Sequence, residues 1–513
     1  MKKFFSNSLI VSFFLLLSKI LGFIRDMLLA SFFGTSIAMQ SFLIAFRIPE
    51  FMRKVASSGA ITQILNPYIK GRVSNQQKQF VASILLFISI VIFFIILCCI
   101  FFSNIWVSIF ATGIVDDYQV LELCSTLFII MIPYILFIFL VALISAVLNS
   151  HKNYVIASII PLILNISMIV GVVLAPGFDT PIYVVAYSVL IAGIFQLAMA
   201  TVALYKLMGR IELNKSMFFI KDFRVIVFFR KFPAAFIGAS ILSINSLVET
   251  FFASFLVSGS LAWLYYADRV NQFIYGVFGT AIATVVIPYL LQYKNDYSSF
   301  RIIFSKVLNF AIYITVPALV GLVILSKPIV VTLFNYGKFN EQDVYFTQMA
   351  LMGYAISLFC FVVIRIITSA LYISSQTNIV FRISVFCLLV NIVLDALIVY
   401  FLSDYIYAFL ILAVITSFVA LLNLLMQMIV LSRFSFTNFM GLFFSKSYFL
   451  KIFISIGVMI LVLFSFNLNI DAWFHMTLLE RFLRLFLIIS LSAMSYIVIT
   501  LLLGVKKYLI IKH

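Results

Sequence analysis

The chain has 513 residues, is 65% hydrophobic and only 10% charged, and has a mean hydropathy of +1.22. A soluble protein of this size cannot hide that much apolar surface. Apolar runs near the roughly 20 residues that cross a bilayer core recur along its whole length, which excludes a soluble enzyme on a single anchor.

Lys2 and Lys3 open the first apolar run as they would open a signal peptide, but Lys19, Arg25 and Asp26 interrupt it and no small-residue cleavage site closes it. It therefore reads as the first membrane helix, near 8–33. Further spans fall near 37–57, 79–103, 120–149, 154–176 and 182–208. A basic linker with Lys215, Lys221, Arg224, Arg230 and Lys231 follows. The pattern resumes near 233–258, 262–290, 305–333, 345–373, 381–402, 405–431, 449–467 and 481–505, so the expected class is an all-α polytopic membrane protein of about fourteen helices.

The net charge of +17 at first suggests nucleic acid. With the N-terminus inside, however, most Lys and Arg fall in cytoplasmic segments, among them Lys70, Arg72, Lys78, Lys294, Arg301, Lys306, Lys446, Lys506 and Lys507. The opposite side holds acids such as Asp116, Asp117, Glu341, Asp343 and Asp471. A miscounted helix would invert every later loop and destroy this bias, so both termini are expected in the cytoplasm. The basic charge is then topology signal and contact with anionic lipid, and no nucleic-acid partner is expected. Five cysteines lie in or beside apolar spans without a CxxC pair, and the three histidines lie outside the spans, which argues against a histidine metal site.

Short segments recur in order. Ala45-Phe46-Arg47-Ile48 is matched by Ala267-Asp268-Arg269-Val270, Pro67-Tyr68 by Pro288-Tyr289, and Leu164-Asn165-Ile166 by Val390-Asn391-Ile392. A duplicated six-helix unit explains the order. Because six is even, both copies enter the membrane the same way up, as in parallel-repeat transporters built around a central cavity. The expected organisation is an N-terminal lobe at 1–208, a cytoplasmic linker at 209–231, a C-terminal lobe at 232–432 and two further helices within 433–513.

Lys19, Arg25, Arg47, Arg53, Lys54, Arg269 and Arg365 fall inside or at the margins of spans. A charge at mid-bilayer costs at least ~2.5–3.5 kcal/mol and normally faces a cavity. The alternative is an ion pair that clips helices together, for which Asp26, Glu50 and Asp268 are close enough in sequence. Residues 47, 50 and 54 share one helix face, Gly22 is a candidate bend in the first helix, and Pro49 is expected to interrupt the second. The repeat puts Arg47 and Arg269 at equivalent positions, which favours convergence on one site. Arginine's planar fork suits phosphate oxygens, so a cavity rich in cations selects an anion. No Walker A sequence is present to make ATP the driver.

The segment Ser18-Lys19-Ile20-Leu21-Gly22-Phe23-Ile24-Arg25-Asp26 resembles the first-helix signature of the MurJ/MviN lipid II flippases. So do Pro49 through Ala60, Asn165 through Ile169, Tyr265-Tyr266-Ala267-Asp268-Arg269 and Tyr336-Gly337-Lys338-Phe339. The resemblance implies a fold of the multidrug/oligosaccharidyl-lipid/polysaccharide exporter type, no enzymatic activity, and export of lipid II across a bacterial inner membrane by alternating access. It places cavity cations at Lys19, Arg25, Arg53 and Arg269, to which the repeat adds Arg47. It also makes 449–505 a groove for the polyprenyl tail. Asp26, Glu50, Asp268, Gln40 and Gln272 are the expected supporting residues. The chain departs from the family at Lys19, where arginine is usual, and at Gln40, Ser58 and Gln272, where acids are common, so its cavity is expected to be more positive.

Asn391 and Asp395, one helical turn apart, put two oxygens on one face. With Glu249 and Thr416 they form a candidate all-oxygen shell for Na⁺, similar to an arrangement in some members of the family. The coupling ion is left open between Na⁺ and H⁺. Two other readings carry less. An exporter of a different polyprenyl-pyrophosphate glycan shares this chemistry, whereas a cation-coupled drug antiporter wants a carboxylate-rich cavity.

Overall fold

The computed structural model describes residues 2–69, 73–114, 117–210, 223–293, 296–374, 376–433, 446–466 and 470–509, and these form helices and turns with no strand among them. The chain divides into two compact units, Met1–Leu261 and Ala262–His513.

The first unit contains α1 (Lys2–Phe33), α2 (Ile37–Ala56), α3 (Ala60–Ile69), α4 (Asn75–Phe101), α5 (Ser103–Phe110), α6 (Tyr118–Met131), α7 (Tyr134–Ser150), α8 (Val155–Leu174), α9 (Pro181–Met208) and α10 (Phe223–Ala253). Gly34, at φ +58°, reverses the chain after α1, and the Ser36 side chain accepts from the Met39 N–H to start α2. Within the unit α1 packs on α8, α9 on both α7 and α8, and α2 on α6 and α7. α10 packs on α2 and α3, which is why contacts group it with the first unit although the sequence boundary was drawn at 232. Arg224, Arg230 and Lys231 lie in the first turns of α10, while Lys215 and Lys221 lie outside the described residues.

The second unit takes up α11 (Ser260–Gln292) from its third residue. It continues with α12 (Tyr297–Ile324), α13 (Ser326–Phe334), α14 (Glu341–Ile373), α15 (Thr377–Leu402) and α16 (Ala408–Arg433). It ends with α17 (Lys446–Ser465), α18 (Ile470–Phe474), α19 (Leu478–Leu502) and α20 (Lys506–Leu509). Here α16 packs on α14 and α15 as α9 does on α7 and α8, the pairing a duplication demands.

Ten helical stretches among the described residues are long and apolar enough to cross a membrane. The other four expected spans coincide with α1, α2, α10 and α11, and these carry the intramembrane charges from Lys19 to Arg269. Two expected spans are broken. The stretch 120–149 divides into α6 and α7 at Pro133, and 305–333 divides into α12 and α13 at Leu325. Neither Gly22 nor Pro49 interrupts its helix. Pro49 still lacks the N–H that would bond the Ala45 carbonyl.

Close approach of helices rests on glycine. A Cβ at Gly353 of α14 would sit 2.8 Å from the Ala413 Cβ of α16, and one at Gly193 of α9 would sit 2.7 Å from the Phe137 ring of α7. α17 and α19 pack on each other and on α12. Tyr448 donates to the Asn309 carbonyl at 2.6 Å and Tyr496 to the Tyr313 carbonyl at 2.9 Å. Their remaining faces leave Leu450, Phe453, Leu461, Phe486 and Leu502 exposed, as a hydrocarbon neighbour would require.

Candidate functional site

The charged residues expected to meet cargo divide into buried clips and partly open groups. Arg25 of α1 is a clip. It is 6% exposed, and its Nε and Nη2 donate to Asp26 Oδ1 at 2.9 and 2.7 Å. Its Nη1 donates to Asn165 Oδ1 at 3.1 Å and lies 3.7 Å from Met168 Sδ, both on α8. Asn165 returns a bond from Nδ2 to the Ser18 carbonyl at 2.8 Å. The contacts form one polar seam that holds α1 to α8 in a low-dielectric setting where an unpaired charge is costly. Gly22 lets Asn165 come this near, since a Cβ there would lie 3.4 Å from Nδ2. Lys19, one turn before, is half-buried.

Arg47 is buried as well. Its Nε donates to the Thr250 hydroxyl of α10, and its Nη1 lies 3.4 Å from Glu50 Oε2. Glu50 is 2% exposed and has two further cations near its other oxygen, Arg53 at 3.9 Å and Lys54 at 3.8 Å. Three cations thus surround one carboxylate on α2, a surplus of two positive charges. The Arg53 and Lys54 side chains are 28% exposed, against 10% for Arg47. Arg53 Nε is buried and has no hydrogen-bond partner among the described residues. This arginine has donors to spare.

Gln40 bonds to its own neighbourhood at the end of α1 and after α10. Its amide nitrogen donates to the Thr35 carbonyl and to Ser258 Oγ, both at 3.1 Å, and its oxygen accepts from the Gly259 N–H at 3.0 Å. It clips the start of α2 to the turn after α10. In the second unit, Gln272 Nε2 donates to Asp268 Oδ2, and the half-buried Arg269 lies over the Tyr265 ring with its guanidinium carbon 4.7 Å from the ring centre. The aromatic face offers Arg269 cation–π attraction. Arg365, on α14, is exposed.

Asn391 and Asp395 are both buried on α15. Thr416 of α16 donates its hydroxyl to the Leu412 carbonyl at 3.2 Å, which leaves its oxygen lone pairs available. Glu249, the fourth candidate oxygen ligand, is half-buried on α10 in the other unit. No group of three or more His, Cys, Asp or Glu capable of holding a metal occurs among the described residues. A site here would depend on the amide and hydroxyl oxygens.

Sequence reasoning missed Asn165 and Thr250 as the partners of Arg25 and Arg47. Asn165 did carry a signal, because it repeats as Asn391. The two copies have diverged, one clipping α1 and the other standing beside Asp395. Arg481 was missed too. It is 5% exposed and has no carboxylate partner among the described residues, donating to the carbonyls of Asn335 and Phe474 at 2.9 Å and of Val331 at 3.3 Å. It binds α19 to the end of α13.

The protein-family model for the lipid II flippase MurJ matches residues 29–484. A probable lipid II flippase MurJ of Buchnera aphidicola subsp. Acyrthosiphon pisum is 33% identical over 511 residues, 97% of this chain and 96% of that protein. The probable lipid II flippase MurJ of Vibrio cholerae is 30% identical over 442 residues, 82% of each protein. Among solved structures, a lipid II flippase MurJ in an inward closed conformation has a TM-score of 0.80 at 23% identity, covering 96% of this chain and 98% of that one. A multidrug-resistance MATE-family transporter of the MOP superfamily, inward-facing, follows at 0.63 and 12%, covering 82% and 96%. Both structures share the fold, and the sequence match over nearly the whole chain shows that it belongs to the MurJ family of lipid II flippases.

Proposed function

We propose that this protein moves lipid II from the cytoplasmic to the periplasmic leaflet of a bacterial inner membrane, with both termini and the 209–231 segment in the cytoplasm. One observation carries the reading beyond family membership: the surplus of positive charge on α2, where Arg53 keeps unused donors in a chain otherwise suited to hydrocarbon. A pyrophosphate, with about two negative charges, matches that surplus, and arginine's fork matches its oxygens. A drug antiporter's cationic cargo does not.

Arg53, Arg269 and Lys19 meet the pyrophosphate in this reading, while Arg25 and Arg47 keep α1 and α2 in register with α8 and α10. Moving negative charge outward, with the cell interior negative, is favourable by ~2.3 kcal/mol per charge per 100 mV. In this reading the membrane potential favours export or resets the cationic cavity. In this reading Asn391, Asp395 and Thr416 offer oxygen donors to a coupling Na⁺, since all-oxygen shells suit hard cations.

The test is complementation of a flippase-depleted strain. Arg269→Ala is expected to abolish growth while the protein still inserts, and Arg269→Lys to rescue in part, since charge returns without the fork. Normal growth of a well-expressed Arg269→Ala strain contradicts the assignment.

A further inference from the structure

Glu50 is a carboxylate that the transport reading leaves without a task. It is 2% exposed, and three cations within 4 Å offset the cost of burying its charge. The three contacts differ. Arg47 is itself buried and is held from its other side by Thr250. Arg53 and Lys54 approach the other carboxylate oxygen at 3.9 and 3.8 Å, too far for those atom pairs to be hydrogen-bonded, and both side chains are 28% exposed. Arg53 in addition keeps a buried Nε without a hydrogen-bond partner among the described residues. Glu50 thus attracts Arg53 without satisfying its Nε.

We propose, resting on the reading of an anionic cargo, that Glu50 is a positioning residue that holds Arg53 and competes with the cargo's pyrophosphate for it. The spacing on α2 suits the task, with Arg53 at i+3 and Lys54 at i+4 from Glu50 on adjoining faces. When the pyrophosphate arrives it supplies short, forked, charge-assisted hydrogen bonds that the carboxylate at this distance does not. When it leaves, Glu50 takes Arg53 back, so that the guanidinium keeps a carboxylate within 4 Å. A transporter needs such release, since a site that only binds does not turn over. If Glu50 occupies Arg53 for roughly 70–90% of the time, the apparent affinity for cargo falls about three- to tenfold relative to a site without it.

The experiment uses the purified full chain in nanodiscs. Binding of a polyprenyl pyrophosphate and of the uncharged polyprenol is compared in wild type, Glu50→Gln, Glu50→Asp and Arg53→Ala, alongside lipid II flipping in proteoliposomes. Glu50→Gln is expected to bind the pyrophosphate about three- to tenfold more tightly, by competition for an occupied site, with slower dissociation and slower flipping. Glu50→Asp, which retains the charge but draws it back by one methylene, is expected to fall between wild type and Gln. Arg53→Ala is expected to bind more weakly. Tighter binding with slower turnover is the opposite of what a merely structural loss produces. Unchanged or weaker pyrophosphate binding in both Glu50 variants overturns the proposal while leaving the cargo reading intact. If wild type binds pyrophosphate no better than polyprenol, the cargo reading itself fails and the role of Glu50 with it.

Discussion

Arg25 and Arg53 are both arginines on charged membrane helices, yet their surroundings give them different consequences on removal. Arg25→Ala removes both bonds that the 2% exposed Asp26 carboxylate accepts from Arg25, and also empties the acceptor at Asn165. Breaking a buried pair from one side costs about 3–5 kcal/mol, so thermal unfolding should move down clearly, and adding Asp26→Asn should restore part of the loss. Arg53 lacks such ties, so Arg53→Ala should leave unfolding nearly unchanged. It should cut pyrophosphate binding roughly ten- to a hundredfold, as loss of one charge-assisted bond worth ~1.5–3 kcal/mol predicts. Equal unfolding shifts in the two variants would erase this distinction. The sequence marked both residues by the cost of their charge. It did not separate them, because the separation depends on Asn165, 140 positions away, and on how deeply each guanidinium is buried.

Helices were the most legible level, because hydrocarbon requires every spanning backbone to satisfy its own hydrogen bonds and so makes an apolar run a helix. The breaks were less legible. Pro133 divides α6 from α7, whereas Pro49 stays inside α2, and only the surrounding packing decides which proline ends its helix. Helix pairing was legible only through the repeat, which anticipates that α9 and α16 occupy like places; the contact of Gly353 with Ala413 is set by backbone proximity and shows in no periodicity. Gly353→Leu should force α14 from α16, at a cost of about 1–3 kcal/mol for overpacking, whereas leucine at Gly321, where nothing lies within 4 Å of a Cβ, should cost far less. Thermal unfolding of the two variants in detergent makes the comparison, and a Gly353→Leu protein as stable as Gly321→Leu would deny the close approach. On α15, Asp395→Asn keeps the shape and removes the charge beside Asn391. Na⁺ binding and Na⁺-dependent flipping should both fall if these oxygens hold the ion, and retention of both would show that the pair only joins helices.

For the whole molecule, the membrane class and the family were readable from apolar runs and from motifs such as Tyr265-Tyr266-Ala267-Asp268-Arg269, and family membership follows from matches over nearly the full chain. The boundary between units was not readable, since α10 packs on α2 and α3 through contacts that its place in the repeat does not reveal. The central claim is that this chain carries lipid II outward, and the most direct measurement is the leaflet in which lipid II resides when the protein is depleted. A membrane-impermeant reagent that modifies lipid II in the periplasmic leaflet is applied to cells whose only flippase is this protein. Depletion should leave lipid II abundant but out of the reagent's reach, and re-expression should return it to the modified pool. Lipid II that stays as accessible in depleted cells as in expressing cells would contradict the account.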